Sequence, residues 1–287
     1  MLINNMISMG KVTKTELAKR LGVARSLLYY HHKRPEIDLE VKAQIESVWV
    51  KHPAYGHKRL APELKLNRKR ILRVMKKFGM KPYRRRVNQP VKKDDLGKPP
   101  VEVINVSKIL CPVVPHVVWV SDFTYLRFEE KFIYLATVMD LYTREIVGWN
   151  ISRFHNTELV LGALEDGVRR TGMTPMYLHS DQGSEYDSQN YQALVKKLTI
   201  TLSMSDKGSP WQNGFQESFY SQFKVDLGRT DQFEVLGELI EAIHKTIMYY
   251  NEERRHSSLG NISPVAFHEA YTRNRLSTDR SSKRRGT

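Results

Sequence analysis

The chain predicts an α/β fold: a mixed five-stranded sheet with flanking helices, preceded by all-α helix-turn-helix modules. Three features of its 287 residues carry that prediction. Three β-rich runs, Val117–Phe128, Phe132–Met139 and Glu145–Ile151, follow one another across short polar turns, as in a meander. Helical and strand segments then alternate as far as Asn251. Ahead of the sheet lies a strongly basic, helix-patterned third of the chain.

The basic charge is unevenly placed. The net charge is +15, yet residues 1–100 hold 25 Lys and Arg against 8 Asp and Glu, whereas residues 101–287 hold 21 against 23. An excess confined to one segment points to nucleic acid, because Lys and Arg bind a phosphate backbone through counterion release. A chain of this length normally divides into two or three domains. No apolar run approaches the roughly 20 residues of a membrane helix, and Met1–Lys11 lacks a secretory pattern. The expectation is a cytoplasmic, nucleoid-associated protein with no membrane partner. The single cysteine, Cys111, excludes an intrachain disulfide and a thiolate-rich zinc site, and is expected to be a small buried hydrophobe.

Residues 1–35 read as a helix-turn-helix. Thr13 and Glu16 form a capping signature, Leu17, Ala18 and Leu21 an apolar face, and Gly22 a left-handed turn, with Ser26, Leu27 and Tyr30 on a second helix beside the basic Arg25. Residues 36–86 read as a further helical DNA-binding module. Glu36–Lys51 is an amphipathic packing helix, Tyr55-Gly56 a turn, His57–Leu64 a short helix, and Asn67 caps a helix running to Lys77. The candidate DNA contacts here are Lys58, Arg59, Arg68, Lys69, Arg70, Arg73, Lys76 and Lys77, followed by Arg84, Arg85 and Arg86. Residues 87–112 have linker composition, residues 113–275 form the core, and 276–287 a basic tail expected to lack structure.

After the three strands come a helix at Asn156–Arg170, a strand at Met176–His179, a helix at Ser188–Leu198, a strand at Ile200–Met204, and helices at Gln212–Leu227 and Val235–Asn251. Three strands, then helix, strand, helix, strand, helix is the ribonuclease-H-like order. On it, three acids stand out: Asp122 inside the first strand, Asp181 just past the fourth, and Glu217 on the helix beyond the fifth, with 35 residues between the last two. A carboxylate among Val118, Val120 and Phe123 is costly to bury without a cationic partner, and a metal ion supplies one. The spacing alone is weak, because 31 residues are acidic; the strand context gives it weight. Phosphoryl transfer between DNA oxygens suits two Mg²⁺ ions about 3.5–4 Å apart on oxygen ligands. His179 and Glu185 flank Asp181 and are candidates for orienting metal or DNA, against simple turn chemistry. Lys207 and Trp211 in a polar loop, Lys224 two turns beyond Glu217, and Arg254 and Arg255 after the last long helix are further DNA-contact candidates. Asp140, before Tyr142-Thr143-Arg144, reads as a hairpin residue and not a ligand.

Several long motifs carry a resemblance. W-x-x-D-F-T-Y at Trp119–Tyr125, D-x-Y-T-R-x-I-V-G-W at Asp140–Trp149, H-S-D-Q-G-S-E-Y at His179–Tyr186, S-P-W-Q-N-G-x-x-E-S-F at Ser209–Phe219 and YNEERRHSSLGNISPVAF at Tyr250–Phe267 follow one another in order, after LGVARSLLYY and YGHKRLAPEL. From about Lys11 to Tyr271 the chain resembles bacterial insertion-sequence transposases with a retroviral-integrase-like core, specifically the second-frame protein of two-frame elements. The resemblance implies a catalytic and metal-binding triad of Asp122, Asp181 and Glu217 using two Mg²⁺ (or Mn²⁺) ions. It also implies cleavage at element ends, transfer of a 3′ hydroxyl into DNA, terminal inverted repeats and target DNA as double-stranded partners, and a homodimer or larger assembly. An upstream-frame protein is expected as fusion or partner. A DNA-binding repressor and a nuclease of the same fold that cuts without joining are the alternatives.

Overall fold

The structure is a computed structural model and describes residues 13–25, 34–83, 105, 111–205 and 213–284. Helix α1 spans Lys14–Leu21. Thr13 accepts the Glu16 N–H at 3.3 Å, and Gly22, at φ 62°, closes the helix in the left-handed region. Glu16 turns to Arg20 at 3.1 Å. Leu21, expected on the apolar face, is exposed. The second helix of this predicted pair, with Ser26, Leu27 and Tyr30, lies outside the described residues.

Helices α2 (Arg34–Lys51), α3 (His57–Leu64) and α4 (Arg68–Lys77) form a bundle. Val41 and Ile45 of α2, Tyr55, Leu60 of α3, and Ile71, Val74 and Met75 of α4 supply its core. The α3–α4 turn is three residues long. Lys65 takes φ 52° to end α3, and the Asn67 side chain accepts the Lys69 N–H at 2.8 Å to start α4. Asp38, on α2, is 1% exposed and draws in Arg73 (2.6 Å) and Lys77 (2.8 Å) from α4. These cations hold its carboxyl far below the usual carboxylate range.

The sheet has the order β3-β2-β1-β4-β5, with β1 Val118–Phe128, β2 Lys131–Asp140, β3 Ile146–Ser152, β4 Tyr177–Ser180 and β5 Thr201–Met204. β1, β2 and β3 pair antiparallel, and β4 and β5 run parallel to β1. Period-2 alternation gives each strand two faces. One carries Trp119, Ala136, Val138 and Leu178 against α5 (Thr157–Thr171) and α6 (Gln189–Lys197). The other carries Leu126, Leu135, Met139 and Ile146 against α7 (Gly214–Leu227) and α8 (Leu236–Glu252). This is the ribonuclease-H-like architecture, with all-α elements ahead of it.

The β2–β3 turn hangs on Asp140. Its Oδ1 accepts the N–H groups of Tyr142 (3.0 Å) and Thr143 (2.7 Å) and the Thr143 hydroxyl, and Oδ2 accepts the His116 N–H at 2.6 Å. The hairpin reading of Asp140 therefore describes its geometry. Two expectations are corrected. Cys111 is exposed, because it precedes the first strand and has no core face to join. The C-terminal stretch is helical: α9 spans Pro264–Arg284, and its first turns lay Phe267 and Tyr271 on Tyr142 at ring separations of 5.3 and 5.6 Å. That contact anchors a helix inside the expected core, and the helix continues through residues 276–284 of the expected tail; residues 285–287 lie outside the described residues.

Candidate active site

Asp122 sits in the middle of β1, opposite Thr137 of β2. On its other side, the parallel register sets Val120 against His179. Carried two residues further, that register places Asp122 opposite Asp181, one residue past the end of β4. Residues in register on parallel strands share a face, and neighbouring strands lie about 4.8 Å apart. Both acids thus stand together on the side that faces α7. Asp122 Oδ1 accepts the Phe123 N–H at 2.8 Å, and Asp181 Oδ1 accepts the Gly183 N–H at 3.1 Å.

Two buried phenols feel both charges. Burial first, then Asp122 and more weakly Asp181, push the hydroxyls of Tyr186 and Tyr220 well above the usual tyrosine value. Both acids therefore share one neighbourhood. Gly183 keeps the space beside Asp181 clear: a Cβ there would lie 2.9 Å from Glu185 Oε2 and 3.1 Å from Asp181 Oδ1.

Helix α7 brings Glu217 to this neighbourhood through groups that the sequence reading did not single out. Gln216 is fully buried and donates Nε2–H to the carbonyls of Val120 (2.7 Å) and Thr137 (3.3 Å), while its Oε1 accepts the Thr137 hydroxyl at 3.2 Å. One turn on, Tyr220 donates its hydroxyl to the carbonyl of Asp122 itself at 2.6 Å. Glu217 follows Gln216 directly and stands one turn from Tyr220 on the same side of the helix. Its side chain reaches solvent, and among the described residues no three His, Cys, Asp or Glu side chains converge to ligating distance. Hydrogen bonds from Gln216 and Tyr220 lay α7, and with it the backbone of Glu217, against the strand that carries Asp122. The one sequence signal for the clamp is Thr137, a lone hydroxyl in the apolar strand FIYLATVM. On the strand-transfer activity proposed below, Gln216→Leu is expected to slow single-turnover joining about 10²-fold while DNA affinity stays the same, because a small displacement of Glu217 would misalign the site; equal rates would leave the clamp without a part in the reaction.

The other expected residues divide by environment. His179 donates or accepts at both ring nitrogens, to Ser203 (2.8 Å) and Ser205 (3.2 Å) of the β5 edge, and burial pushes it down to about 4. It ties β4 to the end of β5, with both ring nitrogens engaged two residues before Asp181. Glu185 is buried and meets His155 Nδ1 at 2.8 Å; His155 in turn lies flat over Phe123, next to Asp122. Lys224 lies 4.9 Å from the centre of the Tyr125 ring on β1.

Arg254, expected on DNA, is 0% exposed and pairs with Asp226 at 2.8 Å and with Gln222. It is an internal ion pair and not a surface contact, because Asp226 on α7 holds it. Arg255 bonds Glu63 of α3 at 2.6 Å. Arg73 and Lys77 are shared with Asp38, which reduces what they offer a phosphate. Lys58, Arg68, Lys69 and Lys76 are exposed, as is Arg25; Arg59 and Arg70 are half-buried. Arg84, Arg85, Arg86, Lys207 and Trp211 lie outside the described residues.

Comparison with known proteins places the chain in a family. Integrase core domain models match residues 113–210 and 198–264. The chain is 32% identical over 87% of its length to the insertion element IS600 31 kDa protein of Shigella sonnei, covering 96% of that protein. It is also 32% identical over 82% of its length to the transposase for insertion sequence element IS904 of Lactococcus lactis, covering 98% of it. Among solved structures, the HTLV-2 integrase catalytic core domain aligns with 54% of this chain and 98% of that one, at 16% identity and a TM-score of 0.44. The chain belongs to the bacterial insertion-sequence transposases with an integrase core, which are polynucleotidyl transferases of the DDE type.

Proposed function

We propose that Asp122, Asp181 and Glu217 are the catalytic and metal-holding residues of a transposase that cuts at insertion-element ends and joins the freed 3′ hydroxyl to DNA. What supports this reading is the parallel register that ends at Val120 and His179, two residues before Asp122 and Asp181, with α7 clamped across β1 by Gln216 and Tyr220. The all-oxygen donor set suits Mg²⁺ or Mn²⁺, two ions per site, and glycine at 183 leaves room beside Asp181. When bound, such ions neutralise the scissile phosphate and acidify the attacking oxygen.

In the first displacement, a water oxygen bonds to phosphorus as the bond to the 3′ oxygen breaks, and the 3′ oxygen leaves as a hydroxyl. In the second, that hydroxyl bonds to a target phosphorus, loses its proton, and displaces a target 3′ oxygen. The same carboxylates would hold the ions that meet both phosphates, and each displacement passes directly between oxygens, so no covalent enzyme intermediate is required. Lys224, beside β1, would meet a phosphate near the site. Exposed Lys58, Arg68, Lys69 and Lys76 on the α3–α4 pair would hold terminal inverted repeats, with Arg25 and Arg84–Arg86 extending the contact. Two ends and one target favour a homodimer or larger assembly, with an upstream-frame protein as fusion or partner.

The test is a strand-transfer assay with labelled, precleaved element-end DNA and Mg²⁺. Covalently joined product is the expected result. Cleavage of intact ends without joining would reassign the chain as a nuclease, and binding with neither reaction would make it a repressor of its element.

A further inference from the structure

Beyond Val120, β1 loses its neighbour on one side: the parallel pairing with β4 reaches His179, while β1 runs on to Phe128. Asp122 and Phe123 stand at the start of this open edge and point to opposite faces of the strand. The loop that joins β3 to α5, residues 153–156, covers the Phe123 side. His155 lies parallel to the Phe123 ring, with ring centres 6.2 Å apart, and its own centre is 5.0 Å from that of Tyr134. Its Nδ1 is bonded to Glu185 Oε1 at 2.8 Å, and the other oxygen of Glu185 borders the space over Gly183 together with Asp181 Oδ1. One buried carboxylate thus ties the loop to the turn that carries Asp181.

The loop is fixed at both ends as well. The Phe154 N–H donates to the Ser152 hydroxyl at 3.0 Å, and the Asn156 side chain accepts the Leu159 N–H at 3.3 Å to start α5. Held in this way, the loop turns its apolar residue outward. Phe154 is 71% exposed, more than any other phenylalanine, tyrosine or tryptophan among the described residues. Arg153 beside it is exposed too, and the His155 side chain keeps 57% of its surface in solvent. A lone exposed apolar side chain needs no special cause. Position and company set this one apart: an aromatic ring next to a cation, on an anchored loop at the edge where Asp122 stands, has the make-up of a surface that stacks a base and meets its phosphate.

We propose that Arg153 and Phe154 seat the terminal nucleotide of the cut element end, the one whose 3′ hydroxyl attacks, with the Phe154 ring stacked on its base and the Arg153 guanidinium on a backbone phosphate. This rests on the DNA-joining reading above. A strand whose 3′ end reaches Asp122 and Asp181 passes the open edge of β1, where the loop stands exposed. The last base pair of a cut end has one bare face, so a ring stacks on it without unpairing the duplex. The bond from His155 to Glu185 keeps the loop in place relative to Asp181.

The experiment uses the full chain and its Phe154→Ala, Phe154→Trp and Arg153→Gln forms, with circular dichroism to establish folding. Binding is measured in EDTA, so that catalysis plays no part, to precleaved element-end duplex and to the same duplex lacking the terminal base of the 3′ strand. Wild type is expected to bind the intact end about tenfold more tightly than the abasic one, the scale of one base–aromatic stack. Phe154→Ala is expected to lose about tenfold on the intact end and nothing further on the abasic end, because two changes that remove one contact are not additive. Phe154→Trp, which keeps an aromatic face, restores the preference. For Arg153→Gln, the slope of log K against log salt is expected to be smaller by about one, the loss of one phosphate contact. Unchanged affinity in Phe154→Ala, or losses that simply add, overturn the proposal, and a smaller slope in Arg153→Gln without coupling at 154 reduces the loop to a backbone contact and overturns the seat. Coupling in a protein that fails to join DNA would leave the seat standing while the catalytic reading falls; joining without coupling would do the reverse.

Discussion

Asp122→Asn is expected to abolish detectable strand transfer, a loss of about 10³-fold or more, while binding to element-end DNA in EDTA and thermal stability stay near wild type. The size follows from the chemistry: charge neutralisation at the transferring phosphate is worth several kcal/mol, and each 1.36 kcal/mol is about one decade of rate. The preservation of fold follows from geometry. Asparagine keeps the Oδ1 acceptor that takes the Phe123 N–H, and the Tyr220 hydroxyl bonds the backbone carbonyl of residue 122, which substitution leaves in place. Asp181→Asn should behave alike, since asparagine retains an acceptor for the Gly183 N–H. Glu217→Gln should lose transfer too, with the least effect on folding because its side chain is exposed. Labelled-end joining, filter binding and a melting curve on the same preparations check all three. A variant that joins DNA at the wild-type rate would remove its residue from the triad.

Much of this framework is readable in the sequence, because its cues are local. The first strand, expected at Val117–Phe128, runs Val118–Phe128, and the helix expected to start at Asn67 is capped by that residue's side chain. Strands β1 to β3 alternate strongly, and caps and turns sit on Asn, Gly and Asp. Asp140 could be read as a turn residue for the same reason: its partners are two and three residues away.

What could not be read depends on partners far along the chain. In NEERRHSS, Arg254 looks like a loop cation, and only Asp226, 28 residues earlier on α7, turns it inward. Asp38 is similar. It sits on a helix whose other polar positions face water, yet it is 1% exposed because Arg73 and Lys77 arrive from 35 and 39 residues away. Gln216 resembles any polar residue of its motif until α7 is laid over Val120 and Thr137. Asp122 stands out by its strand context and all three acids by the motifs that hold them, whereas Gln216 and Tyr220, which lay α7 on β1, carry no such local signal.

Gly148 is where sequence motif and packing meet, and Gly148→Ala is expected to destabilise the protein by about 3 kcal/mol or more, with unfolded or aggregated product at ordinary growth temperature. In the I-V-G-W run of β3, a Cβ at 148 would lie 2.3 Å from the Ala163 carbonyl oxygen, 2.3 Å from the Gly167 nitrogen and 2.6 Å from the Gly167 Cα. All three are backbone atoms of α5, so no rotamer change relieves the clash. Overpacking costs typically 1–3 kcal/mol when side chains can yield, and here β3 and α5 must separate as whole elements. Separation would also open the core beneath them, where Trp119 and Val147 pack near Gly167. Against a total stability of about 5–15 kcal/mol, such a loss is large. Gly237→Ala is the matched control: a Cβ in that helix meets nothing within 4 Å, and the change should be neutral or stabilising by up to about 1 kcal/mol. Urea unfolding of both variants separates the general effect of adding a methyl from the close approach of β3 and α5. If Gly148→Ala unfolded at the wild-type urea midpoint, the two backbones could not be as close as the structure has them. A large loss at 148 with none at 237 would instead identify the glycine of the I-V-G-W motif as a packing requirement for the sheet on which Asp122 stands.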